Sequence, residues 1–235
     1  YNVNYANSAK DKMRGKNRAI LNDNLGEGFY DFLLAALTPT LAHCRGGIYV
    51  AMSSSELDVL QAAFRAAGGK WSTFIIWAKH TFTMGHADYQ RQFEPILYGW
   101  REGATRHWCG ARDQGDVWNI NKPHKNDLHP TMKPVELMER AIRNSSRPGD
   151  VVLDPFGGSG TTMIAAEKSD RHARLMELDP KYVDVIVRRW QTWSGEQAVR
   201  DGKIDVLLVD GTTLEWRRQP NANLAALVGD VVQAV

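Results

Sequence analysis

Phe29, Leu33, Leu37 and Leu41 recur every four residues, which lays one apolar stripe along a helix. Gly46-Gly47 closes that helix, and the apolar run Ile48-Tyr49-Val50-Ala51-Met52 predicts a buried strand. Ser53-Ser54-Ser55-Glu56 has the form of a capping box and opens a second helix with Leu57, Leu60 and Phe64 on one side. Gly68-Gly69 stops it, and residues 71–77 are rich in β-formers. Residues 94–100 predict a strand of antiparallel or edge character, because Pro95 has no amide hydrogen for a ladder. This alternation of helix and strand is the signature of a layered α/β sheet.

Over residues 101–128 the periodicity vanishes. The stretch holds Gly103, Gly110, Gly115 and Pro123 beside His107, Trp108 and Trp118. A long irregular segment in a compact domain is functional or disordered, and its aromatic content argues against disorder. Order returns at Pro134, a favourable first helical residue, with Val135, Met138 and Ile142 along one face. A turn at 147–150 precedes the short buried strand Val151-Val152-Leu153. A helix from Thr161, a strand at 173–176 and a long helix over 180–193 follow. The hydrophobic run 204–210 predicts an additional sheet strand.

The chain has 235 residues, 43% of them hydrophobic and 24% charged, which suits one globular α/β domain. Its longest apolar run is too short to span a bilayer, and the polar opening has no signal-peptide pattern. Two widely spaced cysteines point to a reducing, cytoplasmic setting rather than a disulfide framework or zinc cluster. A net charge of +2 permits nucleic-acid binding without arguing for it.

The chemistry concentrates in Asp154-Pro155-Phe156-Gly157-Gly158-Ser159-Gly160-Thr161-Thr162, set between a strand and a helix. Three glycines let the backbone turn tightly and approach a ligand, and the amides opening the next helix favour an anionic group such as a carboxylate. No lysine stands where a nucleotide-triphosphate loop needs one, and the dinucleotide spacing breaks at Met163. The next strand ends in Glu177, where an acid can grip the two ribose hydroxyls of an adenosine ligand.

His129-Pro130-Thr131-Met132-Lys133-Pro134 followed by the glycine turn resembles the two cofactor motifs of β-type amino-methyltransferases, which act on adenine N6 or cytosine N4 of DNA. Residues 88–95 and 108–118 are similar to prophage-type DNA methylases that often carry a ParB-like domain upstream. The resemblance implies a Rossmann-like S-adenosylmethionine-dependent fold, a seven-stranded mostly parallel sheet with helices on both faces. It implies residues 1–100 as the catalytic half, 101–128 as a candidate target-recognition segment and 129–202 as the cofactor-binding half, with 203–235 unassigned. S-adenosylmethionine is the implied cofactor, held by Thr131, Lys133, Asp154, Pro155, Phe156, Gly157, Gly158, Ser159, Gly160, Thr161 and Glu177. Double-stranded DNA is the implied partner, with Lys79, His86, Arg91 and Arg112 as candidate phosphate or base-edge contacts. The family often forms homodimers, and its members belong to restriction-modification systems in bacteria or phage-infected hosts.

The family also carries Asp-Pro-Pro-Tyr, whose carboxylate and backbone carbonyl accept the hydrogens of the target amino group. The sequence opens at Tyr1-Asn2-Val3-Asn4-Tyr5, so Tyr1 corresponds to the motif's aromatic, which stacks on a flipped base. The acid and prolines are not in this sequence, so it is expected to bind cofactor and methylate poorly. Neither Cys44 nor Cys109 follows a proline, which disfavours ring-carbon methylation, and without a Cys-x-x-Cys zinc deamination is disfavoured too. Adenine methylation is the expectation, with cytosine N4 methylation, a non-catalytic cofactor-sensing DNA-binding module and an RNA or small-molecule methyltransferase sharing the fold as alternatives.

Overall fold

The computed structural model describes residues 2–3, 20–84, 87–123 and 131–198, and the backbone alone at 83, 206–209, 213–216 and 231–234. The stripe from Phe29 forms α1 (Phe29–His43), which buries Phe29, Leu33, Leu37 and Leu41. After β1 (Ile48–Ala51), α2 (Leu57–Ala66) buries Leu60, Ala63 and Phe64. Its expected capping box does not form. Ser53 Oγ pairs with Ser55 Oγ at 2.8 Å instead, and Glu56, the N-cap, makes no side-chain cap.

β2 (Gly69–Thr83) and β3 (Arg91–Arg101) form a long antiparallel pair, as the proline at 95 foretold for the second of them. β4 (Val117–Asn119) follows, a strand that the irregular stretch had concealed. α3 (Val135–Ser145) begins one residue later than expected, because Pro134 keeps an extended ψ of 145° as its N-cap. β5 (Val151–Asp154), α4 (Thr161–Lys168) and β6 (His172–Leu175) form a strand–helix–strand unit with parallel strands. α5 (Pro180–Ser194) starts where the Asp179 side chain accepts the amide hydrogen of Lys181 at 3.0 Å and Pro180 sets the first turn.

Among the described residues, seven strands form one sheet in the order β4-β2-β3-β1-β9-β5-β6. Here β9 is Val231–Ala234, which pairs parallel with both β1 and β5. β3 is antiparallel to its neighbours and the other ladders are parallel. The hydrophobic run at 204–210 contributes β7 (Val206–Val209), which pairs with β8 (Thr213–Trp216) in a separate two-stranded sheet. The expected extra strand therefore exists, but outside the main sheet.

The two-residue period of the strands sorts side chains between two cores. Ile48 and Leu97 pack with α1 and α2 on one face. Tyr49, Ile96 and Tyr98 pack with α3 and α4 on the other. Register fixes a second feature. β1 ends opposite Ile96 and Met52 N donates to Pro95 O at 3.1 Å, so residues 91–95 and their β2 partners continue past the end of β1. Because β1, β9 and β5 run parallel, this overhang rises from the same sheet edge that carries Asp154. No helix among the described residues is long and apolar enough to cross a membrane.

Candidate functional site

The chain leaves β5 at Asp154 and enters α4 at Thr161 through a turn whose backbone favours glycine at two points. Gly158 and Gly160 have φ of 54° and 74°. A β-carbon on Gly160 would also lie 3.0 Å from Ile186 Cγ2 and 3.2 Å from Ile186 Cα, so the turn is pressed onto α5. Asp154 holds the turn from inside. Its buried carboxylate accepts the Phe156 amide hydrogen at 2.9 Å and the Thr162 hydroxyl at 2.6 Å. Burial pushes its carboxyl above the ordinary aspartate value, opposed by those two hydrogen bonds.

Two further groups brace the turn from outside. The Arg189 guanidinium donates to Ser159 O at 3.0 Å, Ser159 Oγ at 3.1 Å and Thr161 Oγ1 at 2.9 Å. Glu177, past the end of β6, accepts the Gly158 amide hydrogen at 2.7 Å through one oxygen and that of Asp179 at 2.9 Å through the other. An ionised carboxylate has about four acceptor positions, so two remain for a ligand.

The turn and Glu177 face a cavity of about 350 Å³ that runs beneath α1 toward α3. Phe156 is 56% exposed, so its ring serves no core. It stands 6.0 Å from the half-buried Phe32, at 51° between planes, leaving an aromatic wall on the cavity. Among the described residues, Asp23, Asp154, Glu177 and Asp179 line the same space against one ammonium, Lys133. That balance opposes a phosphate and suits a cationic ligand.

Thr131 and Lys133 both reach this cavity, as do Asp154, Pro155, Phe156, Gly157, Gly158, Ser159, Thr161 and Glu177. Ser159 and Thr161 are buried and turn their hydroxyls to Arg189, and Gly160 packs on Ile186 behind the wall. Lys133 Nζ lies 3.3 Å from Glu94, whose other oxygen pairs with Lys79 at 3.0 Å. Lys79 also sits 4.7 Å from the centre of the Trp77 ring. It is thus an ion-paired, largely covered group on the overhang. Arg91 is exposed on the same overhang and donates to Ser53 Oγ at 3.3 Å. Arg112 lies elsewhere, on the irregular segment at a second cavity. Tyr1 and His86 lie outside the described residues.

Sequence reasoning missed Asp23, Phe32, Glu94 and Arg189. Asp23 is 5% exposed on the cavity wall and receives the Val3 amide hydrogen at 3.3 Å. Asn2 Oδ1 accepts from Leu25 at 2.7 Å, so the start of the chain is tied to this rim. An acid in a polar stretch gives no local sign of burial. Phe32 stands beside the stripe of α1, and that off-stripe position was the one available signal.

Comparison with known proteins follows the same lines. Residues 41–188 match the profile of the N6_N4_Mtase family, described as DNA methylase. The chain is 43% identical over 99 residues to the type II methyltransferase M.Cfr9I of Citrobacter freundii, covering 42% of this chain and 33% of that protein. It is 31% identical over 166 residues to the type II methyltransferase M.BglI of Bacillus subtilis, covering 63% of this chain and 47% of the relative. The chain thus spans between a third and a half of these relatives' lengths. Among solved structures, the M1.HpyAVI–SAM complex superposes with a TM-score of 0.59 at 26% identity, over 67% of this chain and 82% of the other. PvuII DNA methyltransferase, cytosine-N4-specific, superposes at 0.62 with 18% identity over 80% and 76%, a likeness of fold alone. With the family profile covering more than half of its length, the chain belongs to the N6_N4_Mtase family of DNA methylases.

Proposed function

We propose that this chain binds S-adenosylmethionine between the glycine turn and Glu177 and serves methyl transfer to an exocyclic amino group of duplex DNA, adenine N6 in the first instance. The observation that carries the reading is the pairing of Gly158 with Glu177 on the wall of an acidic, aromatic-walled cavity. An adenosine ring finds Phe32 and Phe156, the ribose finds the remaining acceptor positions of Glu177, and the cationic end finds carboxylates. A phosphate-bearing nucleotide meets the same carboxylates as repulsion. When bound, S-adenosylmethionine supplies an electrophilic methyl group on its sulfonium.

The chain's own residues then have separate tasks. Asp154, Arg189 and Glu177 fix the turn before ligand arrives, so little ordering remains to be done on binding. Lys133 stays half-buried beside Glu94 and offers an ammonium toward a carboxylate-bearing ligand end. Tyr1 is assigned to stacking on the target base, next to Asn2, which is anchored at residues 25–26. The overhang of β2 and β3 supplies Arg91 toward the DNA backbone.

Calorimetry with S-adenosylhomocysteine, NAD and ATP, followed by transfer of labelled methyl from S-adenosylmethionine to unmethylated duplex DNA, tests this. Binding of the homocysteine analogue, with label recovered slowly and weakly as N6-methyladenine, is the expected result. Label in N4-methylcytosine corrects the base. NAD or ATP binding in its place overturns the cofactor reading, and cofactor binding without DNA label overturns the enzymatic one.

A further inference from the structure

A second cavity, of about 430 Å³, opens on the α3 face of the sheet beneath the irregular segment that follows β3. It takes its walls from the middle of the strands and the C-terminal end of α3, away from the edge that carries Asp154. Tyr98 and Trp108 meet there edge to face, with ring centres 6.3 Å apart. Arg106 lies 6.0 Å from the centre of the Trp108 ring, and Arg112 joins it on the cavity wall. Both arginines are exposed at their outer parts.

The lining is held in place. Gln114 and Asn144 exchange two amide hydrogen bonds of 2.8 and 2.9 Å, and Cys109 N donates to Asn144 O at 2.7 Å. Gly110 allows this closure: a β-carbon there would stand 2.5 Å from Asn144 Oδ1 and 2.9 Å from Trp108 Cζ2. The segment therefore docks on α3 instead of crossing it loosely. Tyr98 is 7% exposed, and its buried hydroxyl makes no hydrogen bond of normal geometry. Ser145, beside it, is directed to Tyr49 Oη at 2.7 Å. A buried, unmatched hydroxyl carries an uncompensated desolvation cost, and a ligand that bonds to it recovers that cost.

Aromatic faces, a polar amide pair, a buried unmatched hydroxyl and two guanidiniums, against the one carboxylate of Asp116 among the described lining residues, suit a planar heterocycle carrying a phosphate. We propose that this cavity is a nucleotide-binding site, separate from the cofactor cavity, in which the base lies against Trp108 and Tyr98 and the phosphate meets Arg106 and Arg112. Stacking on aromatic rings holds bases of any sequence, and guanidinium forks hold phosphate oxygens. The nucleotide can arrive free or as an unpaired unit of a polynucleotide. The inference does not depend on methyl transfer.

The test is calorimetric titration of the protein, held with saturating S-adenosylhomocysteine, by each of the four deoxynucleoside monophosphates, by 2-deoxyribose 5-phosphate and by a single-stranded deoxyoligonucleotide. Trp108→Ala and Arg112→Ala are measured beside wild type, with melting curves as the fold control. At least one mononucleotide or the oligonucleotide binds, the sugar phosphate binds at least tenfold more weakly, and both substitutions weaken binding at least tenfold. Arg112 is exposed, so its variant reports even where Trp108→Ala fails to fold. Binding of mononucleotides assigns the site to free nucleotide, and binding of the oligonucleotide alone assigns it to a strand. If S-adenosylhomocysteine itself gives no heat, the cofactor reading fails while the Arg112 comparison still locates the nucleotide. No binding by any probe, or binding indifferent to both substitutions, overturns the proposal.

Discussion

Glu177 accepts the amide hydrogen of Gly158 at 2.7 Å, so an acid beyond one strand braces the turn that closes the strand beside it. The same carboxylate takes the Asp179 amide hydrogen, which ties the start of α5 to the turn as well. Turn, strand end and helix start therefore move as one unit around the cofactor cavity.

Glu177→Gln keeps the size of the side chain but replaces one acceptor with a donor that faces an N–H group. One of the two backbone amides loses its partner, and hydrogen bonds to a charged group are worth about 1.5–3 kcal/mol. S-adenosylhomocysteine affinity is expected to fall by about tenfold or more, read by calorimetry. Unchanged affinity would remove Glu177 from the site.

Gly160→Ala places a β-carbon in the left-handed region and against Ile186 backbone, whereas Gly157→Ala meets the mobile end of Ile186 at 3.1 Å without a positive φ. The first substitution is expected to destabilise by about 2 kcal/mol, and the second by less. Chemical denaturation of both variants distinguishes them. Equal losses would show that the turn's left-handed backbone is not what demands glycine there.

Asp154 has a raised carboxyl pKa because it is buried, with Thr162 and Phe156 opposing the shift. A folded value above the unfolded one means that its stabilising contribution is complete below the unfolded value and declines as pH rises through the folded one. Asp154→Asn does not titrate. The stability difference between wild type and Asp154→Asn should be widest in acid and narrow as pH rises above the ordinary aspartate range. Melting series from pH 4 to 8 read it; a difference that widens with pH contradicts the burial account.

Local pattern carried what depends on neighbours in sequence. The α1 stripe is visible because a helix repeats every few residues, and the turn at 157–160 is visible because its glycines are consecutive or nearly so. β4 and β9 were not visible. Three or four residues acquire strand geometry from the ladder they join, Trp118 from Trp77 and Ala234 from Ile48. Arg189 and Asp23 escaped for a related reason: each matters through a partner or cavity wall supplied by distant sequence. The supposed capping box failed because serine hydroxyls can satisfy one another as readily as a helix end.

β9 is the one strand that bonds to both β1 and β5, so among the described residues the ladder from one half of the sheet to the other passes through four residues. The sheet behaves as two plates joined along a narrow seam. Phe32 belongs to one plate and Glu177 to the other, so a ligand seated between them fastens the seam from above. Occupancy of that space should therefore slow amide hydrogen exchange along β1 and β5 together, including at the β5 residues that lie outside the cavity wall.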